Sequence, residues 1–222
     1  MIRDVHDWGR RCSLNRLARL MRAAGLMACP KWRQLPTDQG VRPECSIAPN
    51  LLEREFAATA PNQRWVADFT YIRASGGWLH FAVVLDLFSR RVVGWSMSET
   101  MTAQFVTDAL VMSPWRRGRP RELLLHSDQG SQYTSEMFQT LLSEQSITCS
   151  MSRSGNVWEN SAMESFFGTL KKERVYRREI STRDEAKADL FDYVERFYNP
   201  YRRHSTTGYL SPVEYERQAE QA

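Results

Sequence analysis

Cysteine is scarce and unpaired in this chain. Its four cysteines, Cys12, Cys29, Cys45 and Cys149, form no Cys-x-x-Cys pair and have no histidine at zinc-finger spacing. That excludes a zinc ribbon and reads as buried or idle thiols of the cytosol. Long apolar runs are missing as well: Phe81 to Phe88 is already interrupted by Asp86, far short of a membrane span. The first residues carry Arg3, Asp4, Asp7 and Arg10, where a signal peptide needs an apolar stretch. A cytoplasmic protein is expected. No internal repeat and no low-complexity segment is visible.

What is present is an ordinary globular composition, 42% hydrophobic and 25% charged. A length of 222 residues suits one sizeable domain with short appendages. The 30 Lys+Arg against 26 Asp+Glu give a net charge of +4, a mild lean toward a polyanionic partner. The basic residues gather in doublets, Arg10-Arg11, Arg116-Arg117, Lys171-Lys172, Arg177-Arg178 and Arg202-Arg203. Each doublet suits either a phosphate backbone or a solvated helix face.

Periodicity sets the organisation. Leu17, Leu20, Met21 and Ala24 keep helical spacing between a Ser13 N-cap and a Gly25 stop. Five prolines between Pro30 and Pro61 mark a linker or arm. Trp65–Ile72, Trp78–Phe88 and Val92–Ser98 are strands by their β-branched and aromatic content, with a turn at Gly76-Gly77. Then come a helix over Thr102–Met112 with Phe105, Leu110 and Val111 inward, a strand over Glu122–Ser127, a helix over Ser135–Glu144 and a strand over Ile147–Met151. Helices follow from about Asn160 to Arg178 and from about Thr182 to Tyr198, where Asn199-Pro200 breaks the chain, and a last one starts at Ser211-Pro212. Strands, then alternating helix and strand, then helices predict an α/β three-layer domain with a mixed sheet. The expected divisions are a partial helical segment over 1–27, an arm over 28–61, a core over 62–178 and a helical extension over 179–222.

On that framework Asp68 lies mid-strand, Asp128 at a strand end and Glu164 in the first turns of a helix, 36 positions after Asp128 (164 − 128 = 36). An isolated acid is usually solvated or caps a turn. Asp68 is different, because it either shares a strand face with Val66 and Thr70 or faces a cleft at the sheet edge, and a carboxylate left unpaired there needs a cation or a donor. Three rigidly held carboxylates suit hard divalent cations and phosphoryl transfer on nucleic acid. Gly130, two residues after Asp128, permits a close backbone approach.

The phrases around the acids decide between these readings. Asn62-Gln63-Arg64-Trp65-Val66-Ala67-Asp68-Phe69-Thr70-Tyr71-Ile72, Asp86-Leu87-Phe88-Ser89-Arg90-Arg91, His126-Ser127-Asp128-Gln129-Gly130 and Trp158-Glu159-Asn160-Ser161-Ala162-Met163-Glu164-Ser165-Phe166-Phe167 occur in that order. The tail continues with Tyr198-Asn199-Pro200-Tyr201-Arg202-Arg203-His204-Ser205. This series resembles the retroviral-integrase-like core of bacterial insertion-sequence transposases, over roughly Arg10 to Glu216. The resemblance implies a ribonuclease H-like fold with a central five-stranded mixed sheet, and an Asp-Asp-Glu triad of Asp68, Asp128 and Glu164 holding two Mg²⁺ ions, with Mn²⁺ as a substitute. It implies nicking at transposon ends and joining of the freed 3′-OH to another phosphodiester, often through a circular form of the element. Double-stranded DNA, a homo-oligomer on paired ends and the product of an upstream reading frame carrying a helix-turn-helix are the implied partners.

The same resemblance puts Lys171, two helical turns past Glu164, on the DNA side. Asn160, Arg202, Arg203 and His204 join it as expected DNA contacts, each with a structural role as the alternative. Tyr133 and Trp158 suit either base stacking or core packing. His126 suits a place near the site or a satisfied core position, and Asp86 suits a strand-end cap rather than a fourth metal ligand. Glu159 departs from the aspartate usual in the family, and Ser13–Leu26 resembles only the last helix of a fuller DNA-binding segment. Three rivals stand beside this reading: a purely hydrolytic nuclease of the same fold, a tyrosine recombinase suggested by Arg203-His204 near Tyr209, and a truncated DNA-binding or regulatory fragment.

Overall fold

The computed structural model describes residues 2–26, 47–153, 157–177 and 179–221, with the backbone only for Val157 and Trp158. The chain divides into two compact units, Met1–Leu35 and Pro36–Ala222. In the first unit α1 (Ile2–Asp7) precedes α2 (Leu14–Ala23). Ser13 caps α2 as expected, accepting from the Arg16 backbone amide, and Gly25 ends it with φ +68°. Neither helix buries a residue.

In the second unit β1 (Arg64–Ala74), β2 (Gly77–Asp86) and β3 (Val92–Ser98) form an antiparallel meander. They are followed by α3 (Ala103–Arg117), β4 (Leu124–Ser127), α4 (Glu136–Glu144) and β5 (Thr148–Met151). β4 and β5 add in parallel on the other side of β1, giving the sheet order β3-β2-β1-β4-β5. This is the mixed five-stranded sheet expected from the sequence. A 3₁₀ turn (Val157–Asn160) leads into α5 (Ser161–Glu173). α6 (Arg183–Phe191), a π-helical stretch over Asp192–Tyr198, α7 (Asn199–Tyr201) and α8 (Pro212–Glu220) complete the unit.

Strand alternation makes two cores, one on each face. Val66, Ile72 and Ala74 of β1 pack with Met163, Phe166, Phe167 and Leu170 of α5 and with Leu190, Tyr193 and Tyr198. Trp65 and Ala67 pack with Phe105, Ala109 and Leu110 of α3 and Phe138 and Leu142 of α4. Burying each large apolar side chain contributes roughly 2 kcal/mol, and these two layers fix the sheet between helices. Gly94 on β3 permits the close approach of α3, since a Cβ there would collide with the Ala109 carbonyl oxygen and the Ser113 hydroxyl.

Several expectations are corrected. α3 continues to Arg117, through Pro114, and ends at Gly118 with φ +70°; Val111 points outward and is 41% exposed. α5 stops at Glu173 and is followed by a 3₁₀ turn over Val175–Arg177, so it falls short of the predicted end at Arg178, which lies outside the described residues. Asn199-Pro200 does not break the helix at Tyr198. The π stretch shifts the bonding pattern by one residue, the Asn199 amide reaching the Val194 carbonyl and the Arg202 amide the Phe197 carbonyl at 2.9 Å. Pro200, with no N–H to give, is carried within this turn. The buried Asn199 side chain then clips the edge strand, accepting from the Val92 amide at 2.9 Å and donating to its carbonyl at 3.0 Å.

Candidate active site

The sheet topology brings the first two acids together. β1 and β4 pair in parallel with Val66 opposite His126, a constant offset of sixty positions (126 − 66 = 60). Asp68 and Asp128 keep the same offset (128 − 68 = 60), two residues beyond the last paired residues of the ladder. Asp128 directly follows the end of β4, and Glu164 stands in the first turn of α5, which packs along β1.

Asp68 carries the electrical signature of this arrangement. Its carboxyl is pushed up to about 8, first by burial, then by the neighbouring Asp128 carboxylate and further by Glu164. The Phe69 amide, donating to Asp68 Oδ1 at 2.7 Å, and the Lys171 ammonium pull the other way without prevailing. Asp128 is half-buried and accepts from the Gly130 amide at 2.8 Å. The close approach permitted by Gly130 is thus to this carboxylate, since a Cβ at 130 would stand 2.9 Å from Asp128 Oδ1. Glu164 is exposed. Among the described residues no group of three His, Cys, Asp or Glu side chains closes into a ready metal cage. The donor set nevertheless fits a hard cation: oxygen ligands only, with mutual repulsion that positive charge would relieve.

Lys171 is half-buried, close enough to Asp68 to act on its carboxyl, with Nζ 5.1 Å from the centre of the Tyr71 ring. Gly168 faces open space, with nothing within 4 Å of a Cβ placed there. The start of α5 is held from below. Glu159 is buried and accepts from the Arg153 amide at 2.6 Å and from its guanidinium at 2.8 and 2.5 Å. Asn160 is buried at the N-cap of α5 and makes no side-chain capping bond.

His126 is a core histidine, fully buried. Ser150 Oγ already accepts from the Leu51 and Leu52 amides, so its O–H donates to His126 Nδ1 at 2.8 Å and leaves the ring proton on Nε2, on the Glu159 side. Burial lowers its basicity to about 4, which keeps it neutral. Tyr133 is also core, its ring 5.2 Å from Phe138 and 6.2 Å from Phe69, and it offers no face to a base. The Trp158 side chain lies outside the described residues. Arg202 is bound by Glu173 through Nε at 3.1 Å and a second nitrogen at 3.0 Å, and His204 packs edge-on against Tyr198 at 5.0 Å, so both have internal partners. Arg203 is exposed.

Asp86 is remote from the metal question. It accepts from the Asn62 and Phe88 amides and the Trp65 indole, and lies 3.7 Å from Arg117. Arg117 also forks onto Glu216 of α8 at 2.8 and 2.9 Å. This buried cluster ties the last helix to the sheet, and the spacing of Asp86, Arg117 and Glu216 in the sequence gave no sign of it. Sequence reasoning also overlooked Tyr71 and Trp78, which meet edge to face at 5.1 Å beside Lys171.

Two families described as integrase core domain match the chain, one over residues 58–157 and one over residues 164–219. The transposase for insertion sequence element IS904 of Lactococcus lactis is 40% identical over 214 residues, which cover 96% of this chain and 84% of the relative. The chain belongs to the insertion-sequence transposases with an integrase core. Transposase InsF for insertion sequence IS3A of Escherichia coli is 47% identical over 170 residues, 77% of this chain and 59% of InsF. The chain therefore matches less than two thirds of that relative's length. Among solved structures, the HTLV-2 integrase catalytic core domain in complex with magnesium superposes with a TM-score of 0.53 at 18% identity, over 71% of this chain and 98% of that one. A simian T-cell lymphotropic virus intasome chain gives 0.58 at 18% identity, over 96% and 73%. The fold of this integrase-core transposase is accordingly the ribonuclease H-like one that the sequence phrases imply.

Proposed function

We propose that this chain is the catalytic part of a DNA transposase that nicks the ends of its element and joins the freed 3′-OH to another phosphodiester. One observation carries the reading: the parallel pairing of β1 and β4 sets Asp68 and Asp128 at the same register offset on neighbouring strands, with Glu164 and Lys171 of α5 close enough to act on Asp68. Fixed acids crowded until one resists ionisation form a site that gains most from a divalent cation. Asp68, Asp128 and Glu164 would hold it. Bound there, two Mg²⁺ ions, or Mn²⁺ in their place, would activate the attacking oxygen and stabilise the leaving 3′-oxygen of an in-line displacement.

The chain's own residues have separate tasks in this reading. Asp68 and Asp128 are set by the sheet, while Glu164 is brought by a helix anchored through Glu159 and Arg153. Lys171, close enough to Asp68 to act on its carboxyl, supplies a cation for a DNA phosphate. Arg203 is an exposed candidate for a further backbone contact. The partners on this reading are double-stranded transposon ends and target DNA, a second copy of the chain on the paired end, and the product of an upstream frame. Its place of work would be the cytoplasm, at the nucleoid; among the described residues no helix is long and apolar enough to cross a membrane.

The test incubates labelled transposon-end duplex with Mg²⁺ and either the parent or Asp128→Asn. Nicked and joined strands are expected from the parent alone. Joining that survives Asp128→Asn undiminished would overturn the mechanism, and nicks without joined product would make the chain a hydrolytic nuclease.

A further inference from the structure

The hairpin of β1 and β2 runs past the acid site. The β1–β4 ladder is paired up to Val66 and His126, whereas β1 and β2 stay paired out to Ala74 and Gly77. On this part Tyr71 is 55% and Trp78 49% exposed, and the two rings meet at 5.1 Å with planes 86° apart. Lys171 places its ammonium over the Tyr71 ring, and the exposed Arg73 sits opposite Trp78 in the register. Two braced aromatic rings with two cations at their border are costly to leave in water, and suit a flat, anionic partner. Tyr71 stands three residues from Asp68, roughly 10 Å along the strand. That distance is about three nucleotide steps of a stacked strand.

We propose that Tyr71 and Trp78 form a stacking platform for an unpaired base of the DNA strand whose phosphate is processed at the acid site. Trp78 is the stacking surface, Tyr71 braces it edge-on, and Lys171 and Arg73 take the phosphates on either side of the unpaired nucleotide. A fully paired duplex hides its base faces and gains only from the cations, so the platform gives preference for frayed or single-stranded ends. The proposal rests on the acid site being a DNA-processing centre.

The test measures binding in EDTA, where chemistry is silent, using two probes: a blunt duplex, and the same duplex with a few unpaired nucleotides carrying a fluorescent adenine analogue. The full chain, Trp78→Ala, Tyr71→Ala and the aromatic-conserving pair Tyr71→Phe and Trp78→Phe are compared, with thermal melts run on each. The parent should prefer the unpaired probe and quench its fluorescence. Trp78→Ala should bind that probe about tenfold more weakly, with the blunt duplex almost unaffected, while the phenylalanine variants keep the preference. Equal loss on both probes, or none, would overturn the platform and leave the transposase reading intact. A parent that binds neither probe would overturn both. Because the phenylalanine variants keep packing and aromaticity, their failure together with the alanine variants would mean the tyrosine and indole polar groups act instead of stacking, which also overturns it.

Discussion

Asp68→Asn should stabilise the metal-free protein, and the gain should depend on pH. The Asp68 carboxyl sits near 3.8 in the unfolded chain and near 8 in the fold, where burial and then Asp128 raise it. The folded state therefore holds a proton that the unfolded state releases. The stability tied to that proton is fully present below about pH 4 and is lost as pH rises to about 8, beyond which no more is lost. At neutral pH the interval from the unfolded value is roughly three pH units, worth about 4 kcal/mol at 1.36 kcal/mol per unit. Asparagine cannot ionise, so the variant escapes this loss. Urea unfolding in EDTA at about pH 4 and at about pH 8 should show parent and variant converging in acid and the variant ahead in base, by up to about 5 kcal/mol once the whole interval of about four pH units is crossed. Saturating Mg²⁺ should erase or reverse the advantage, since only the parent presents the carboxylate to the cation. An unchanged difference between the two pH values would refute the account of Asp68 as an acid held out of water against a like charge.

Other substitutions separate scaffold from site. Arg117→Ala leaves Glu216 and Asp86 short of a buried cation and should cost about 3–5 kcal/mol by denaturant melt, with Arg117→Lys intermediate because it loses the fork onto Glu216. Glu216 itself is held below the ordinary carboxylate range, burial being outweighed by Arg117 and Ser89, so its contribution is present above about pH 4.5 and fades as the pH falls through its lowered value. Gly130→Ala crowds Asp128 Oδ1 and should lower strand joining far more than it lowers the melting temperature, as read by product yield beside a thermal melt.

Much of this architecture was legible because local and global signals agree. The meander, the alternating helix and strand and the cap at Ser13 follow from strand composition, periodicity and N-cap chemistry, and the helix starts at Ser135 and Ser211 were also legible. The positions of Asp68, Asp128 and Glu164 on strand, strand end and helix were legible for the same reason. What was hidden depends on tertiary contacts. Val111 obeys helical spacing, yet α3 covers only part of its circumference with sheet. Asn199-Pro200 has the composition of a break, but a π register and the Val92 clip carry the helix across it. Tyr133 and Arg202 have side chains apt for DNA, and only packing reveals Phe138 and Glu173 as their partners. The sixty-residue register that aligns Asp68 with Asp128 is set by β1 meeting β4 in parallel, which no local pattern encodes.

On the proposed reading, three carboxylates on separate elements share divalent metal. Its most direct test is Mn²⁺ binding, followed by electron paramagnetic resonance with transposon-end DNA present, for the parent and for Asp68→Asn, Asp128→Asn and Glu164→Gln. Each single substitution should release bound Mn²⁺, Glu164→Gln included, although that side chain is exposed in the metal-free fold. Parent-like Mn²⁺ binding by Glu164→Gln would contradict the three-acid site, and parent-like binding by Asp128→Asn would remove its foundation.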